Sequence, residues 1–569
     1  MIKKESRRKW IHLLVLTAAL LAVNVIAHYQ HGFIDLTEDK RFTLSEPTKQ
    51  MLVELNEPIR VQILLEGNFP AEFRRLQSST EDMLRRFRSY NNQIDFEFIN
   101  PNEGDTQEKN KRRQELTERG IHPINMRVQE AGERVERLIY PYAIVNTSDR
   151  ALSVNLLEDE VPGVDPQITL NNSIGLLEYK LANAIHKVQS PDKPTVAFTT
   201  GQGEVKSEFL IDLNRSLREY YQVGRIHLDS VDFIDPQKAP LLIVPGPTEP
   251  FSEKKKFALD QYIMNGGKVI WLISKLAANL DSVRKHQNYV PREYTLDLDD
   301  LFFRYGFRLN PDLVQDLQCS SIPMVIGRVG SQSQMELFPW YYHPTAAPFT
   351  DHPIVSAIDR VNLFFPNSID TIRTKGQVDK TILLASSEFS RFQMIPAQIN
   401  FDILRYEPDP DRFNRPHLPL AVLFEGEFYS AFEKRLSLEM EGWLSAEGLE
   451  FQNKVRDNAM MVVSDIDFAL NSFHPNTGEM RPAGFNPYEN RLYSNKDFLL
   501  NAVEYMLDDS GIIQARNREV QLRLINEVKA RTEMTQWQLL NIAAPIGFVF
   551  FFGLFYNFVR RRRYARKAQ

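Results

Sequence analysis

Apolar and polar positions follow three rhythms along the chain. At each end lies an unbroken apolar run. Trp10 to Ala27 reads WIHLLVLTAALLAVNVIA, with no Asp, Glu, Lys or Arg between Lys9 and Asp35. Gln538 to Val559 reads QLLNIAAPIGFVFFFGLFYNFV, with no formal charge between Glu533 and Arg560. At about 1.5 Å per helical residue, either run is long enough for one bilayer crossing. Pro545 and Gly547 would break a soluble helix but are tolerated in a membrane helix.

Between the runs the rhythm changes to alternation and helical spacing. Ile59 to Leu65 alternates as a strand, and Phe73, Leu76, Met83, Leu84 and Phe87 recur at helical spacing over 70–90. Ile94 to Ile99 is a second strand, Arg137 to Val145 and Leu152 to Leu156 are further ones, and Asn172 to Val188 reads as a helix leading out. This β-α-β order predicts a thioredoxin-like domain over 31–190, without the CxxC of redox chemistry. After Pro191-Asp192-Lys193-Pro194, strands at Thr195–Thr199, Gln222–Leu228, Pro240–Val244 and Lys268–Ile273 alternate with helices at Ser207–Tyr221 and Ser252–Asn265. That alternation predicts a doubly wound, flavodoxin- or amidotransferase-like, mostly parallel sheet domain over 191–512. Ser252 is the expected helix cap and Gly266-Gly267 its stop. Leu418–Phe424 and Ala459–Val463 read as late strands of the same sheet, which makes 300–415 an insertion. The predicted fold class is therefore α/β, with a transmembrane helix at each end and a juxtamembrane helix over 513–537.

Charge sets the expected topology. The tails are basic: Lys3, Lys4, Arg7, Arg8 and Lys9 at one end, Arg560 to Arg563, Arg566 and Lys567 at the other. Under the positive-inside rule both tails, 1–9 and 560–569, belong in the cytoplasm. Setting aside their eleven basic residues and one Glu leaves 57 basic against 73 acidic residues, a net of −16 over 10–559. The expectation is a two-span protein of the bacterial inner membrane with its main domain periplasmic. A cleaved signal peptide ending near Val25-Ile26-Ala27 is the competing reading of the first run. The acidic balance argues against nucleic acid as a partner. The single cysteine, Cys319, excludes an internal disulfide and cysteine-based metal centres.

Candidate chemistry is sparse. Gly201-Gln202-Gly203-Glu204 is a glycine turn between a strand and a helix, where backbone amides can hold an anion. Val205 stands where a P-loop needs its glycine, so nucleotide hydrolysis is not expected there. Trp340, Tyr341 and Tyr342 could line a partner surface or fill a core. Ser274 lacks the glycines of a nucleophile elbow. Asp297, Asp299 and Asp300, like Asp465 and Asp467, are read as exposed turn acids rather than a calcium loop. His28 and His31 share a helix face but lack a zinc motif. The charged run Glu108–Arg119 reads as a solvated helix. No catalytic set, metal site or cofactor is predicted.

Several longer segments carry a resemblance. FIDLTEDKRFTLS at Phe33–Ser45, FTTGQGE at Phe198–Glu204, HPIVSAIDRV at His352–Val361, LPLAVLFEGEFYSAF at Leu418–Phe432 and NKDFLLNAVEYMLDDSGI at Asn495–Ile512 resemble the gliding-motility-associated ABC transporter auxiliary proteins, the GldG family. The resemblance covers nearly the whole chain. It implies a noncatalytic inner-membrane subunit beside an ABC ATPase and a polytopic permease, with an extracytoplasmic domain facing a ligand or envelope partner. The glycine turn commonly reads GHGE in that family and has Gln202 here. The acidic turn often reads SDGD and has Ile466 here, which disfavours a positive φ at that point. By sheet topology, Gly201, Gln202, Gly203 and Glu204 are the expected ligand-binding residues. A periplasmic hydrolase or amidotransferase-like enzyme using Ser274 or Cys319, and an envelope scaffold, are the alternatives.

Overall fold

The computed structural model describes residues 43–517, apart from 68, 131–132, 159–165, 191–192, 287, 330–331, 357 and 509, together with 534–565 and the isolated positions 15 and 17. The expected first span over 10–27 falls outside the described residues except at Val15 and Thr17, as do His28 and His31. The chain forms two compact units, Met1–Glu519 and Val520–Gln569.

The first core of the larger unit surrounds a four-stranded mixed sheet. Strands β1 (Ile59–Ile63), β2 (Ile94–Phe98), β3 (Tyr142–Asn146) and β4 (Ala151–Asn155) lie in the order β2-β1-β3-β4. β1 runs parallel to β2 and antiparallel to β3. The alternation of β1 is explained by its burial, with Ile59, Val61 and Ile63 inward and Arg60 outward. Helix α1 (Glu46–Val53) starts at Ser45, whose side chain accepts from the Thr48 amide and satisfies one free N–H of the first turn. Helix α2 (Ala71–Tyr90) turns Phe73, Leu76, Met83, Leu84 and Phe87 onto the sheet. Each such side chain contributes about 1.5–3 kcal/mol by leaving water. Helix α3 (Thr106–Glu118) is the charged run, and it buries only Leu116. The single helix expected over 172–188 is two, α4 (Pro166–Gly175) and α5 (Leu177–Gln189), broken at Leu176. The C-terminal part of the unit returns to this core: Ile512, Ile513 and Ala515 pack within it. Residues Ile512–Asn517 form a 3₁₀ helix, where a juxtamembrane helix was expected to begin.

The second sheet departs from the sequence reading in one respect. It has ten strands, and only half of it is parallel. Strands β5 (Thr195–Thr200), β6 (Gln222–His227), β7 (Leu241–Pro245), β8 (Lys268–Leu272), β9 (Cys319–Val329), β10 (Gln332–Pro348), β11 (Val378–Ala385), β12 (Pro419–Tyr429) and β13 (Lys454–Val463) lie in the order β9-β10-β11-β12-β13-β8-β7-β5-β6, with Val361–Asn362 pairing to β10 off this path. Strands β13, β8, β7, β5 and β6 are mutually parallel. From β13 outward every pairing is antiparallel. The mostly parallel sheet is thus corrected to a mixed one. The helical crossovers that signal a parallel sheet occur early in the chain, whereas β9 to β11 arise from the prolines-and-strands segment 300–415, and antiparallel neighbours need no crossover. Leu418–Phe424 and Ala459–Val463 do belong to this sheet, in β12 and β13.

Helices cover both faces. Helix α6 (Ile211–Tyr220) and helix α8 (Asn495–Leu507) pack on one side, with Leu213, Leu217, Phe498, Ala502 and Met506 in a core with Ile243, Ile270 and Leu423. Helix α7 (Glu253–Met264) packs on the other, with Phe257 and Tyr262 beside Val244, Trp271 and Val422. Ser252 caps α7 by accepting from the Lys255 amide, and Gly266 takes φ +93° just beyond it, both as expected.

The smaller unit contains helix α9 (Met534–Ala565), which carries an apolar segment Trp537–Arg562 of mean hydropathy 1.9. It is the one helix among the described residues long and apolar enough to cross a membrane.

Candidate functional site at the sheet edge and core junction

The parallel strands end at one edge of the second sheet, where doubly wound folds usually bind ligands. The glycine turn follows β5 there. Gly201 takes φ +108° and Gly203 φ +70°; a Cβ on Gly203 would stand 2.2 Å from Thr248 Oγ1. The Thr248 and Glu249 amides both donate to the Gln202 carbonyl, at 2.9 and 3.0 Å. The turn therefore is locked against the loop after β7.

Its capacity for an anion is already used. The Glu204 carboxylate accepts the Gln202 amide at 2.6 Å, so the chain's own acid sits where an anion would bind. The Gln202 side chain is fully buried and folds back on the Gly201 carbonyl at 2.5 Å. Gln202 Oε1 and Glu204 Oε1 are buried acceptors with no hydrogen-bond partner among the described residues. Only Gly203 of the four is exposed. The glycine turn is thus self-capped, with two spare acceptors.

The acidic turn after β13 stands beside it. Gly246, after β7, takes φ +66°, and a Cβ there would lie 2.8 Å from Ile466 Cγ1. Ile466 itself has φ −106°, in keeping with the expectation that the isoleucine turn avoids positive φ. Asp465 is not an exposed acid: it is fully buried and accepts the Phe364 and Asp467 amides at 2.7 and 2.8 Å. Burial first, then the Asp467 charge, push its carboxyl well above the ordinary range. Burial pushes Asp467 up to about 6. Asp299 and Asp300 do lie at the surface, where they pair with Lys275 at 2.8 Å and Lys256 at 3.0 Å. Asp297, also exposed, takes φ +58°, which Asp tolerates better than most residues.

The proposed nucleophiles fare poorly. Ser274 is half-buried after β8, and no hydrogen bond joins it to a histidine among the described residues. Cys319 is half-buried; burial and the Asp316 and Glu489 charges push its thiol up to about 12, which holds it in the unreactive form. Trp340, Tyr341 and Tyr342 are 0, 4 and 3% exposed, which makes them core residues rather than a partner surface. Trp340 packs on Tyr342, Phe365 and Phe401 with ring centroids 5.2–6.5 Å apart. Among the described residues no group of three or more metal-ligating side chains occurs.

A cavity of about 550 Å³ lies elsewhere, where the two cores of the larger unit meet. Arg150, Lys187, Lys193, Glu219, Tyr220 and Glu504 are among its lining residues. Lys187 Nζ is 2.7 Å from Glu504 and 4.1 Å from the centroid of the Tyr220 ring. Tyr179 and Asn183 also donate to the Glu504 carboxylate. Burial opposes the charge on Glu504, but Lys187, the Tyr179 hydroxyl and the Arg516 charge outweigh it and hold the carboxyl below its ordinary range. Arg516, from the 3₁₀ helix, donates to Asn501 at 2.7 Å and lies 4.9 Å over Tyr179. The sequence reading missed this network because its members are up to 325 positions apart. A Lys and a Glu on two separate helices carry no pairing signal in one sequence.

Residues 193–502 match the family described as an ABC-type uncharacterized transport system, and residues 38–146 match a domain family of unknown function. No curated protein matches the chain. Among solved structures it is similar to the mmIFT52 N-terminal domain, at 10% identity over 58% of this chain and 100% of that one, with a TM-score of 0.27. It is also similar to the exo-β-1,4-mannosidase Op5Man5 from Opitutaceae bacterium strain TAV5, at 9% identity over 60% and 39% with a TM-score of 0.22. A thua-like protein from Parabacteroides merdae is similar at 12% identity over 55% and 90%, with a TM-score of 0.24. Likenesses this slight carry no argument.

Proposed function

Because this chain belongs to the family described as an ABC-type uncharacterized transport system, which matches more than half of it, we propose that it is a noncatalytic, membrane-anchored subunit of an ABC complex serving bacterial gliding motility. The coarser statement, a transporter-associated auxiliary protein, follows from the family itself. Chemical energy comes from a partner, since the chain has no complete Walker motif. The partners are an ABC ATPase and a polytopic permease. Both apolar runs span the inner membrane, both basic tails lie in the cytoplasm, and the acidic larger unit is periplasmic.

The observation that carries this reading is the family match together with an apolar helix, α9, that ends in Arg560–Arg563. The GldG-like segments support the motility assignment. The mechanism is coupling: permease movements reach the larger unit through its anchors, and the C-terminal edge of the second sheet meets the periplasmic ligand or envelope partner. Gly201, Gln202, Gly203 and Glu204 belong to that edge, with Gly203 the exposed member of the four.

Purification of the tagged full-length protein in mild detergent tests the reading. The expected result is a Walker-containing ATPase and a permease in the eluate, with the N-terminus intact. Recovery of the protein alone, starting near His28, refutes the anchored-subunit reading. Q202A with E204A is expected to impair motility at normal protein levels; unchanged motility removes that edge from the function.

A further inference from the structure

A second, smaller cavity of about 320 Å³ lies far along the chain from the glycine turn, on the two-stranded ribbon formed by Asp312–Asp316 and Ser390–Met394. This size is at the lower end of small-ligand sites. Its polar lining is unusual: Gln315, Gln393, Gln398, Asn400 and Arg391, with the Tyr342 hydroxyl. No carboxylate lines it.

The ribbon's register builds the site. Gln315 and Arg391 are direct partners across the two strands, and Gln393 is two residues beyond Arg391, so all three share a face. Their hydrogen bonds then fix which way each group points. Arg391 Nε donates to Gln315 Oε1 at 2.5 Å, and Gln315 Nε2 donates to Gln393 Oε1 at 3.2 Å. The Tyr342 hydroxyl donates to that same Gln393 oxygen at 2.7 Å. Gln315 is 1% exposed and Tyr342 3%, so this network is built into the core wall. With the Gln393 oxygen used twice, its NH₂ is left as a free donor among the described residues. Gln398 is exposed and offers both ends of its amide.

Arg391 supplies the charge. Its guanidinium carbon is 4.6 Å from the centroid of the Phe413 ring, and only its Nε is used by the network. It makes no ion pair among the described residues, although it is half-buried and burial lowers its pKa. A half-buried cation without a counter-ion is partly stripped of water, and a carboxylate is the planar partner that its free fork fits. Side-chain amides, each with a donor and an acceptor in one plane, suit neighbouring hydroxyls.

We infer that this cavity binds a carboxylated saccharide of the uronic-acid type, with Arg391 on the carboxylate and Gln393 and Gln398 on the hydroxyls. Neither the transporter reading nor the sheet edge enters into this assignment.

Saturation-transfer NMR on the full-length protein in detergent tests it, with D-glucuronate, D-glucose and sodium acetate as separate probes. D-Glucuronate is expected to bind about tenfold more tightly than D-glucose, the size of one charge-assisted contact, and severalfold more tightly than acetate, which lacks the hydroxyls. R391Q is expected to remove the advantage over D-glucose, and Q398A, at an exposed position that leaves folding untouched, to weaken D-glucuronate severalfold. Equal binding of acetate overturns the saccharide assignment, and equal binding of D-glucose overturns the role of Arg391. Absence of D-glucuronate binding, or binding unchanged in both R391Q and Q398A, overturns the site. Should R391Q fail to fold, Q398A alone decides.

Discussion

Substituting Glu504 by Gln tests whether the core junction is held by its ion pair. The change keeps the volume and leaves Tyr179 and Asn183 a carbonyl to bond, but it strands Lys187, whose Nζ lies 2.7 Å from the carboxylate. Breaking one partner of a buried pair costs about 3–5 kcal/mol. Lys187 and Glu504 retain 19% and 15% of their side-chain exposure, so the lower figure, about 3 kcal/mol, applies. Helices α5 and α8 carry the two partners, so the loss is local to their junction. Hydrogen exchange read by mass spectrometry on peptides from α5 and α8 is the direct assay, because amide protection reports local opening. A loss of about 3 kcal/mol speeds that exchange by about two orders of magnitude. The double change K187M/E504Q removes both charges while leaving Tyr179 and Asn183 a carbonyl to bond, and is expected to restore most of the protection, since it strands neither the cation nor the two donors. The sign with pH follows from the depressed Glu504 pKa. Its contribution is present above the ordinary glutamate range, near about 4.3, and is lost as the pH falls through the lower folded value. Exchange in E504Q within threefold of the parent, or a double variant no better than either single one, would refute the reasoning.

Three further outcomes follow from particular side chains. W340A removes a fully buried indole and is expected to cost about 3–5 kcal/mol, measured as a lower urea midpoint by fluorescence. Maleimide should leave Cys319 unlabelled in the folded protein at pH 8 and label it after denaturation, because burial, with the Asp316 and Glu489 charges, pushes its thiol up to about 12. Asp467, raised to about 6, contributes stability that is complete below the ordinary aspartate range and lost as the pH rises through 6. D467N should therefore flatten the decline in thermal midpoint between about pH 4 and pH 7.

The sequence by itself determined those elements whose burial repeats locally. The alternation of Ile59–Ile63, the helical spacing of Phe73 to Phe87, the Ser252 cap with its Gly266 stop, and the apolar run of α9 each arise from one neighbourhood of the chain. Local periodicity and capping are written residue by residue, so they can be read without a fold. The glycine turn was legible in the same way, because Gly201 and Gly203 both require positive φ. What that turn is locked against was not. That the turn is locked through the Gln202 carbonyl, that the Trp340–Tyr342 aromatics face inward, and that Asp465 is buried all depend on elements brought from elsewhere: Thr248 in the loop after β7, Phe365 beside Trp340, and the Phe364 amide on Asp465. The parallel half of the second sheet could be read from its crossover helices, but the antiparallel half could not, since pairing between β10, β11 and β12 leaves no local trace of direction. The two cavities were decided wholly by tertiary structure. Glu504 meets Lys187 across 317 positions, and Arg391 meets Gln315 across 76. Only the closing of one chain segment on another decides whether such charges meet, are neutralised, or are left to bind something else.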